Sequence, residues 1–302
     1  MSLDSSIIAS LPAVEADLNY TVPMADRARD YAYDPPPGVP HSNTTLEARR
    51  FAIRDIRPVS TNPSLDGEGF AALRHHSVVS DFYDDEEVVR VYYPEAAALI
   101  QEATGATRVF VFDHTRRRHR PGADFRRNEA KQPTREVHVD QTVKSGPQRV
   151  RDLLPAEAGK LLAGRVQIIN LWRPIRGPVR DAPLVVCDAR SVAPADLMPS
   201  DLIYRDRIGE TYSVTWNPAH RWFYLSGMTP DEALLVKCYE SRTDGRARFA
   251  PHSAFTDPTA PPDAPNKSDT RPRYSARYPT HRDPQGRDAT NRPMSATGPP
   301  LA

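Results

Sequence analysis

The sequence predicts a mostly β protein with flanking helices, built around a sandwich or barrel of jelly-roll type. Between residues 165 and 255, short runs of β-branched and aromatic residues alternate with Gly and Pro turns, which is typical of such sheets. Upstream, residues 80–93 combine an acidic start with an apolar stripe, which predicts a helix. Pro94 then suits the first turn of a second helix, and Gly105 suits its end.

The composition excludes several classes of function. Of the 302 residues, 40 are Lys or Arg and 39 are Asp or Glu, which gives a formal net charge of +1. A general nucleic-acid binder would carry a basic excess, so we expect no nucleic acid partner. The sequence shows no secretory leader and no stretch long enough to span a membrane, so we expect no membrane partner. Nothing in the sequence indicates a particular oligomeric state.

The two cysteines indicate the cellular compartment. Cys187 and Cys238 both lie in apolar, strand-like runs, and neither belongs to a CxxC pair. Buried free thiols of this kind are typical of proteins in a reducing environment. We therefore expect a cytoplasmic protein.

Three regions differ in composition. Residues 1–45, with a proline-rich stretch at 34–40, predict an N-terminal arm. Residues 46–257 contain the predicted strands and helices and form the expected barrel domain. Residues 258–302 are rich in Pro and Arg, and Met294 and Leu301 are their only residues of the types Val, Ile, Leu, Met and Phe. Because such a segment buries little apolar surface, the sequence predicts a disordered tail there.

The stretch from residue 135 to residue 142 contains the strongest candidate for a functional site. A strand with this sequence would place Val137 and Val139 on one face, and His138 and Asp140 on the other. An imidazole and a carboxylate on one rigid face are two of the three ligands of a facial-triad ferrous site. The third ligand, a second histidine, must come from a distant part of the chain.

Two histidines downstream of this strand are candidates for the third ligand. His220 lies in a turn before an aromatic strand, and His252 begins the last strand predicted in the barrel domain. The distal ligand of a ferrous oxygenase barrel normally comes late in the chain, which favours His252. His220 stays as the alternative.

Longer motifs extend from residue 45 to about residue 260. They are VYYP at 91–94, VFVFDH at 109–114, HVDQT at 138–142, GRVQIINLWRP at 164–174, CDARS at 187–191, HRWFYL at 220–225, KCYES at 237–241 and PHSAF at 251–255. With these motifs the chain resembles the AsaB-like hydroxylase/desaturase family, which includes fungal gibberellin desaturase and the CmcJ-type cephalosporin enzymes.

The resemblance implies both a fold and an activity. The implied fold is a double-stranded β-helix. The implied enzyme is an Fe(II)/2-oxoglutarate-dependent dioxygenase that uses O2 to hydroxylate or desaturate an unactivated C–H of a small specialised metabolite. His138, Asp140 and His252 would be its metal ligands and catalytic residues. The alternative is a catalytically impaired barrel that binds a small molecule or a partner.

The C-terminal region departs from the family pattern. The family's last strand carries a serine and an arginine, and the arginine is expected to bind the distal carboxylate of 2-oxoglutarate. Here Ser275 and Arg277 stand in for them, but no apolar strand follows. Arg173 is a second candidate for this carboxylate, because it ends a strand that we expect to face the barrel.

Two further expectations concern the surroundings of the site. Gln141 and Thr142 follow Asp140 directly, and we expect them to hydrogen-bond its carboxylate, since ligating carboxylates usually have such partners. The dense basic run from His114 to Arg120 is interpreted as a solvated loop.

Overall fold

The computed structural model describes residues 3–117, 133–180, 182–261 and, for the backbone alone, 273–282. Its helices are α1 (Ser5–Ser10), α2 (Asp85–Glu87), α3 (Tyr93–Thr104), α4 (Ser145–Leu153) and α5 (Ala158–Ala163). Its strands are β1 (Ala13–Thr21), β2 (Ala28–Tyr31), β3 (Leu46–Asp55), β4 (Phe70–Arg74), β5 (Arg108–Val109), β6 (His138–Val139), β7 (Arg165–Pro174), β8 (Leu184–Cys187), β9 (Leu197–Ile203), β10 (Ile208–Val214), β11 (Trp222–Tyr224), β12 (Glu232–Glu240), β13 (His252–Ala254) and β14 (Arg273–Arg282).

The strands form two sheets, which confirms the predicted jelly-roll type of fold. A nine-stranded sheet has the order β1-β3-β11-β8-β13-β6-β10-β9-β2, and a five-stranded sheet has the order β4-β12-β7-β14-β5. Two apolar clusters lie between the sheets. They contain residues from the smaller sheet and from the middle strands of the larger sheet. The candidate site lies between these two sheets.

Strand β7 is buried on both faces, and this explains its nearly unbroken apolar sequence. Ile168 and Trp172 pack into the clusters shared with the larger sheet. Ile169 and Leu171 pack against α3 on the opposite face. Because side chains alternate along a strand, Asn170 lies on the face that looks toward the larger sheet, whereas Arg173 lies on the face that looks toward the helices.

Both predicted helices are present; the first begins later than expected, at Asp85, whereas the second has Pro94 in its first turn as predicted. Asp84 caps α2, because its side chain accepts hydrogen bonds from the backbone N–H groups of Glu86 and Glu87. One π turn, Val88–Tyr92, leads directly into α3. Gly105 ends α3 with a φ of 62°, as expected for a glycine C-cap.

The N-terminal segment differs from the predicted arm because it contributes strands to the larger sheet. Strand β1 pairs along its whole length with β3, and β2 pairs with β9. Leu18 and Tyr20 of β1 are almost fully buried. Apolar and polar residues alternate through β1, so its inner face is covered only when it pairs with the barrel.

The C-terminal segment also differs from the predicted disordered tail. Residues 273–282 form β14, which pairs with β7 over ten residues and also with β5. Without β14, one long edge of β7 would carry unpaired backbone groups, which is unfavourable for a buried strand. Backbone pairing to a buried neighbour therefore forms a strand whose composition alone does not indicate one. Residues 262–272 and 283–302 lie outside the described chain.

Both cysteines lie in the core of the protein. Cys187 and Cys238 are free and buried. Burial raises the pKa of the Cys187 thiol to about 12, so this group is a protonated, inert side chain at neutral pH. No helix in the described part of the chain is long and apolar enough to cross a membrane.

Candidate metal centre

The three predicted metal ligands come together on two neighbouring strands. His138 in β6 and His252 in β13 are direct cross-strand partners. Such partners share a face of the sheet, and the centroids of the two imidazole rings are 4.5 Å apart. Asp140 follows β6 on the same face, as the alternation predicts, while Val137 and Val139 are fully buried in the core. The potential ligand atoms of the three residues lie within 4.8 Å of one another.

Both histidines present the same nitrogen to the centre of this cluster. Nδ1 of His138 lies 2.8 Å from the carbonyl oxygen of Glu136, and Nδ1 of His252 lies 3.2 Å from that of Ala250. A carbonyl accepts only, so Nδ1 carries the proton in each ring. Nε2 of each ring then keeps its lone pair and lies toward Asp140, at 3.9 Å for His138 and 3.4 Å for His252.

The protonation state of His138 suits metal binding. Burial, together with the neighbouring imidazole of His252, lowers the pKa of His138 to about 4. The ring is therefore neutral at pH 7 and its Nε2 lone pair is available. Two imidazoles and one carboxylate are the donor set of ferrous facial-triad sites, so these residues fit that metal.

Within the described part of the chain, Asn170 and Cys238 contact the carboxylate of Asp140 and help to orient it. Nδ2 of Asn170 donates to Oδ2 of Asp140, and the Cys238 thiol lies 3.6 Å from the same oxygen. The expectation for Gln141 and Thr142 was wrong. Gln141 accepts a hydrogen bond from Ser145, and Thr142 donates to Glu210. Thr142 also accepts hydrogen bonds from the backbone N–H groups of Lys144 and Ser145, so both side chains stabilise the turn that leads into α4.

His220, the alternative third ligand, lies in a separate network. Its Nδ1 is 2.9 Å from the Tyr20 hydroxyl, and its Nε2 is 3.1 Å from Oδ2 of Asp196. Trp222 donates its indole N–H to the same hydroxyl at 2.8 Å. Both ring nitrogens of His220 are thus used within the core, and the structure does not bring this residue to the triad.

A cavity that opens to solvent contains all three triad residues. Its other lining residues are Arg117, Thr134, Asn170, Trp172, Leu184, Val236 and Ser253. Arg117 was not expected there, because the basic run was interpreted as a solvated loop. His114 and Arg116 of that run are also held against the protein, through Asp85. Residues 118–120 lie outside the described chain.

The residues predicted to bind 2-oxoglutarate are found in two places. Arg173 is buried on the helix-facing side of β7, where it donates to the carbonyl oxygen of His75 at 2.6 Å and its guanidinium lies 5.2 Å from the ring centre of Tyr92. It does not line the triad cavity. In β14, Arg277 is paired with Asn170 and Ser275 is paired with Trp172.

Comparison with known proteins finds relatives along most of the chain. A family model described as an oxidoreductase/YMDC permease-like domain matches residues 18–271. The hydroxylase/desaturase efuI of Hormonema carpetanum is 36% identical over 265 residues, which cover 81% of this chain and 88% of that protein. The Fe(II)/2-oxoglutarate-dependent dioxygenase nvfI of Aspergillus novofumigatus is 30% identical over 269 residues, which cover 86% of this chain and 95% of that protein.

A solved structure agrees with these relatives. The iron and alpha-ketoglutarate-dependent endoperoxidase NvfI superimposes with a TM-score of 0.80 at 26% sequence identity, covering 89% of this chain and 98% of that one. The comparisons confirm the resemblance drawn from the sequence motifs. The chain therefore belongs to the family of Fe(II)/2-oxoglutarate-dependent hydroxylases and desaturases, and it is a dioxygenase that uses iron, 2-oxoglutarate and O2.

Proposed function

We propose that His138, Asp140 and His252 hold the ferrous ion of an enzyme that hydroxylates or desaturates a small specialised metabolite. The observation that carries this proposal is the convergence of two imidazole Nε2 atoms and one carboxylate, buried at the wall of a cavity. When bound, iron with 2-oxoglutarate and dioxygen supplies the oxidising power that removes hydrogen from an unactivated C–H bond. The protein's part is to hold the ligands and to position the substrate.

The ligand set is held by hydrogen bonds on the side away from the metal. The carbonyl groups of Glu136 and Ala250 fix the two imidazole rings in one orientation. Asn170 donates to Oδ2 of Asp140, which helps to fix the orientation of this carboxylate. Partners of this kind typically change metal affinity by about 10–100-fold when they are removed. The three ligands are therefore arranged before iron binds.

We assign the distal carboxylate of 2-oxoglutarate to Arg277, with Ser275 beside it. The register of β14 supports this assignment, because Arg277 is paired with Asn170 and Ser275 with Trp172, and both partners line the triad cavity. Cross-strand partners share a face of the sheet, and a guanidinium suits a carboxylate bidentately. Arg173 lies on the helix-facing side of β7, and its geometry supports a structural role.

We further propose a small-molecule substrate, no nucleic acid partner and a cytoplasmic location. A small-molecule substrate is supported by the lining of the cavity, whose apolar side chains Trp172, Leu184 and Val236 suit a hydrocarbon body. The nearly neutral net charge supports the absence of a nucleic acid partner. Two buried free thiols support a cytoplasmic location.

Turnover of 2-oxoglutarate tests the proposed function without knowledge of the substrate. We expect purified protein supplied with ferrous iron and air to convert 2-oxoglutarate slowly to succinate, and the conversion to stop when iron is chelated. Asp140→Asn keeps the size of the side chain and removes the ligand charge, so it should reduce succinate formation to background. Equal turnover in wild type and variant would contradict the assignment of Asp140.

A further inference from the structure

Arg117 places a positive charge inside the cavity that contains the triad. Apart from His138, Asp140 and His252, the other residues that the structure shows lining this cavity are uncharged. They include the indole of Trp172 and the aliphatic side chains of Leu184 and Val236. A cation among such neighbours is partly shielded from water, so its interaction with an anion is stronger than at an exposed surface.

The chain segment just before Arg117 is fixed to the helical layer. The carboxylate of Asp85 binds Arg116 at 2.6 Å and Nε2 of His114 at 3.2 Å. The hydroxyl of Tyr93 lies 2.9 Å from Nδ1 of His114. Arg116 also donates to the carbonyl oxygen of Tyr83 at 2.8 Å. These contacts place the backbone at residue 117 beside the cavity before any ligand arrives, which lowers the entropy cost of binding.

A guanidinium in this position is suited to a carboxylate, which it binds with two parallel hydrogen bonds. The proposed function already provides Arg277 for the distal carboxylate of 2-oxoglutarate. We propose that Arg117 binds a carboxylate of the substrate, so that the enzyme acts on a small organic acid whose hydrocarbon part lies against Trp172, Leu184 and Val236. This inference rests on the proposed function, because it takes the iron and cosubstrate sites as given.

The assignment makes Arg117 a residue that determines specificity. Hydrogen bonds to charged groups contribute about 1.5–3 kcal/mol, which corresponds to roughly a 10–100-fold change in affinity. We therefore expect the enzyme to distinguish a carboxylic acid from its methyl ester, which has almost the same shape but no charge. Arg117→Gln should remove this preference, and Arg117→Lys should keep part of it, because lysine retains the charge but not the planar fork.

The experiment uses the anaerobic complex of wild-type protein with ferrous iron and 2-oxoglutarate. The probes are three acids, trans-cinnamic, 4-phenylbutanoic and geranic acid, each compared with its methyl ester. Binding is followed by the change in the visible spectrum of the complex and by stimulation of succinate formation in air. We expect at least one acid to bind roughly tenfold or more tightly than its ester in wild type. In Arg117→Gln, the two should bind within about twofold of each other.

Two control variants separate charge in the cavity from charge elsewhere. Arg205 is an exposed arginine that stacks on Tyr33 and is absent from the cavity lining, so Arg205→Gln should behave as wild type. Asp85→Asn weakens the contacts that hold His114 and Arg116, and it should reduce the preference for the acid without changing the affinity for 2-oxoglutarate.

Three results would overturn the proposal. Wild-type protein that binds no acid more tightly than its ester contradicts it, as does an Arg117→Gln variant that keeps the preference. A roughly tenfold weaker affinity for 2-oxoglutarate in Arg117→Gln would place the cosubstrate's carboxylate at Arg117 instead. Failure of the proposed function gives a different result, because the wild-type protein would then show no spectral band with 2-oxoglutarate.

Discussion

Two buried histidines in this protein have nearly the same exposure but different surroundings. His252 is 7% exposed and His220 is 4% exposed, and each lies beside a carboxylate. Both ring nitrogens of His220 contact side chains, one the hydroxyl of Tyr20 and the other the carboxylate of Asp196. In His252, by contrast, Nδ1 contacts the backbone carbonyl oxygen of Ala250. Its Nε2 lies close to a second imidazole and a carboxylate.

The difference shows how a metal ligand can be distinguished from a structural histidine. A ligand histidine has one nitrogen tied to a carbonyl group, which fixes the tautomer and turns the other lone pair toward the metal. A structural histidine uses both nitrogens within a closed network of the core. Burial and a neighbouring carboxylate are common to both and do not separate them.

Replacement of His252 should abolish metal binding. His252→Gln removes one of three ligands, and we expect affinity for ferrous iron to fall more than about 100-fold, since loss of a ligand costs more than loss of a supporting group. The stability of the metal-free protein should change by only about 1 kcal/mol, the value of one hydrogen bond. Iron content after anaerobic desalting measures the first effect, and urea denaturation measures the second. Retention of stoichiometric iron in this variant would contradict the assignment.

Replacement of His220 should reduce the stability of the protein and leave its affinity for iron nearly unchanged. His220→Leu removes one hydrogen-bond partner from the buried hydroxyl of Tyr20 and one from the carboxylate of Asp196. We expect the free energy of unfolding to fall by about 2–4 kcal/mol, because breaking a buried polar network is among the more costly changes. Affinity for iron should stay within about twofold of wild type. The comparison would fail if this variant lost iron while keeping its denaturation midpoint.

Two asparagines provide a finer version of the same test. Asn170 donates to Asp140 in the triad, and Asn217 donates to Asp196 beside His220. We expect Asn170→Ala to weaken iron binding by about tenfold, because the carboxylate loses its orienting partner. Asn217→Ala should leave iron binding unchanged and reduce stability by about 1 kcal/mol. Competition with a coloured iron chelator measures the first, and chemical denaturation the second.

The smallest expected effect is the contribution of His220 to the loss of stability at acidic pH. Burial lowers the pKa of His220 below its ordinary value, although Asp196 opposes this shift. The unfolded chain therefore binds this proton more readily than the folded protein, so stability present at neutral pH is lost as the pH falls below about 6.5. One such group changes stability by at most about 1.4 kcal/mol per pH unit.

Denaturation of the metal-free protein between neutral pH and mildly acidic pH measures this slope. We expect His220→Leu to lose stability less steeply than wild type on acidification, since the variant no longer has this titrating group. A slope as steep as that of wild type would show that other groups account for the acid sensitivity.

The sequence alone predicts features that depend on neighbouring residues, such as the alternation of side chains along a strand. His138 and Asp140 share a face because they lie two residues apart on an extended strand, and the end of α3 follows from Gly105. The pattern of β1 was also visible, because Val14, Ala16, Leu18 and Tyr20 alternate with polar residues. The proline-rich stretch after β1 favoured an arm, and the pairing of β1 with β3 overrides that interpretation.

The choice between His252 and His220 could not be made from local pattern because it depends on strand order. Strand β13 lies next to β6, whereas His220 precedes β11, which pairs with β8 and β3. Asn170 and Arg117 were missed for the same reason. Asn170 comes from the opposite sheet, and Arg117 comes from a loop held by Asp85. No spacing along the chain predicts either contact.

The most direct test of the account is an anaerobic titration of metal-free protein with ferrous iron and then 2-oxoglutarate, carried out on wild type, His252→Gln and His220→Leu. A chelate of iron and 2-oxoglutarate gives a visible charge-transfer band. We predict this band in wild type and in His220→Leu, and its absence in His252→Gln. Loss of the band in His220→Leu with its retention in His252→Gln would contradict the proposed triad.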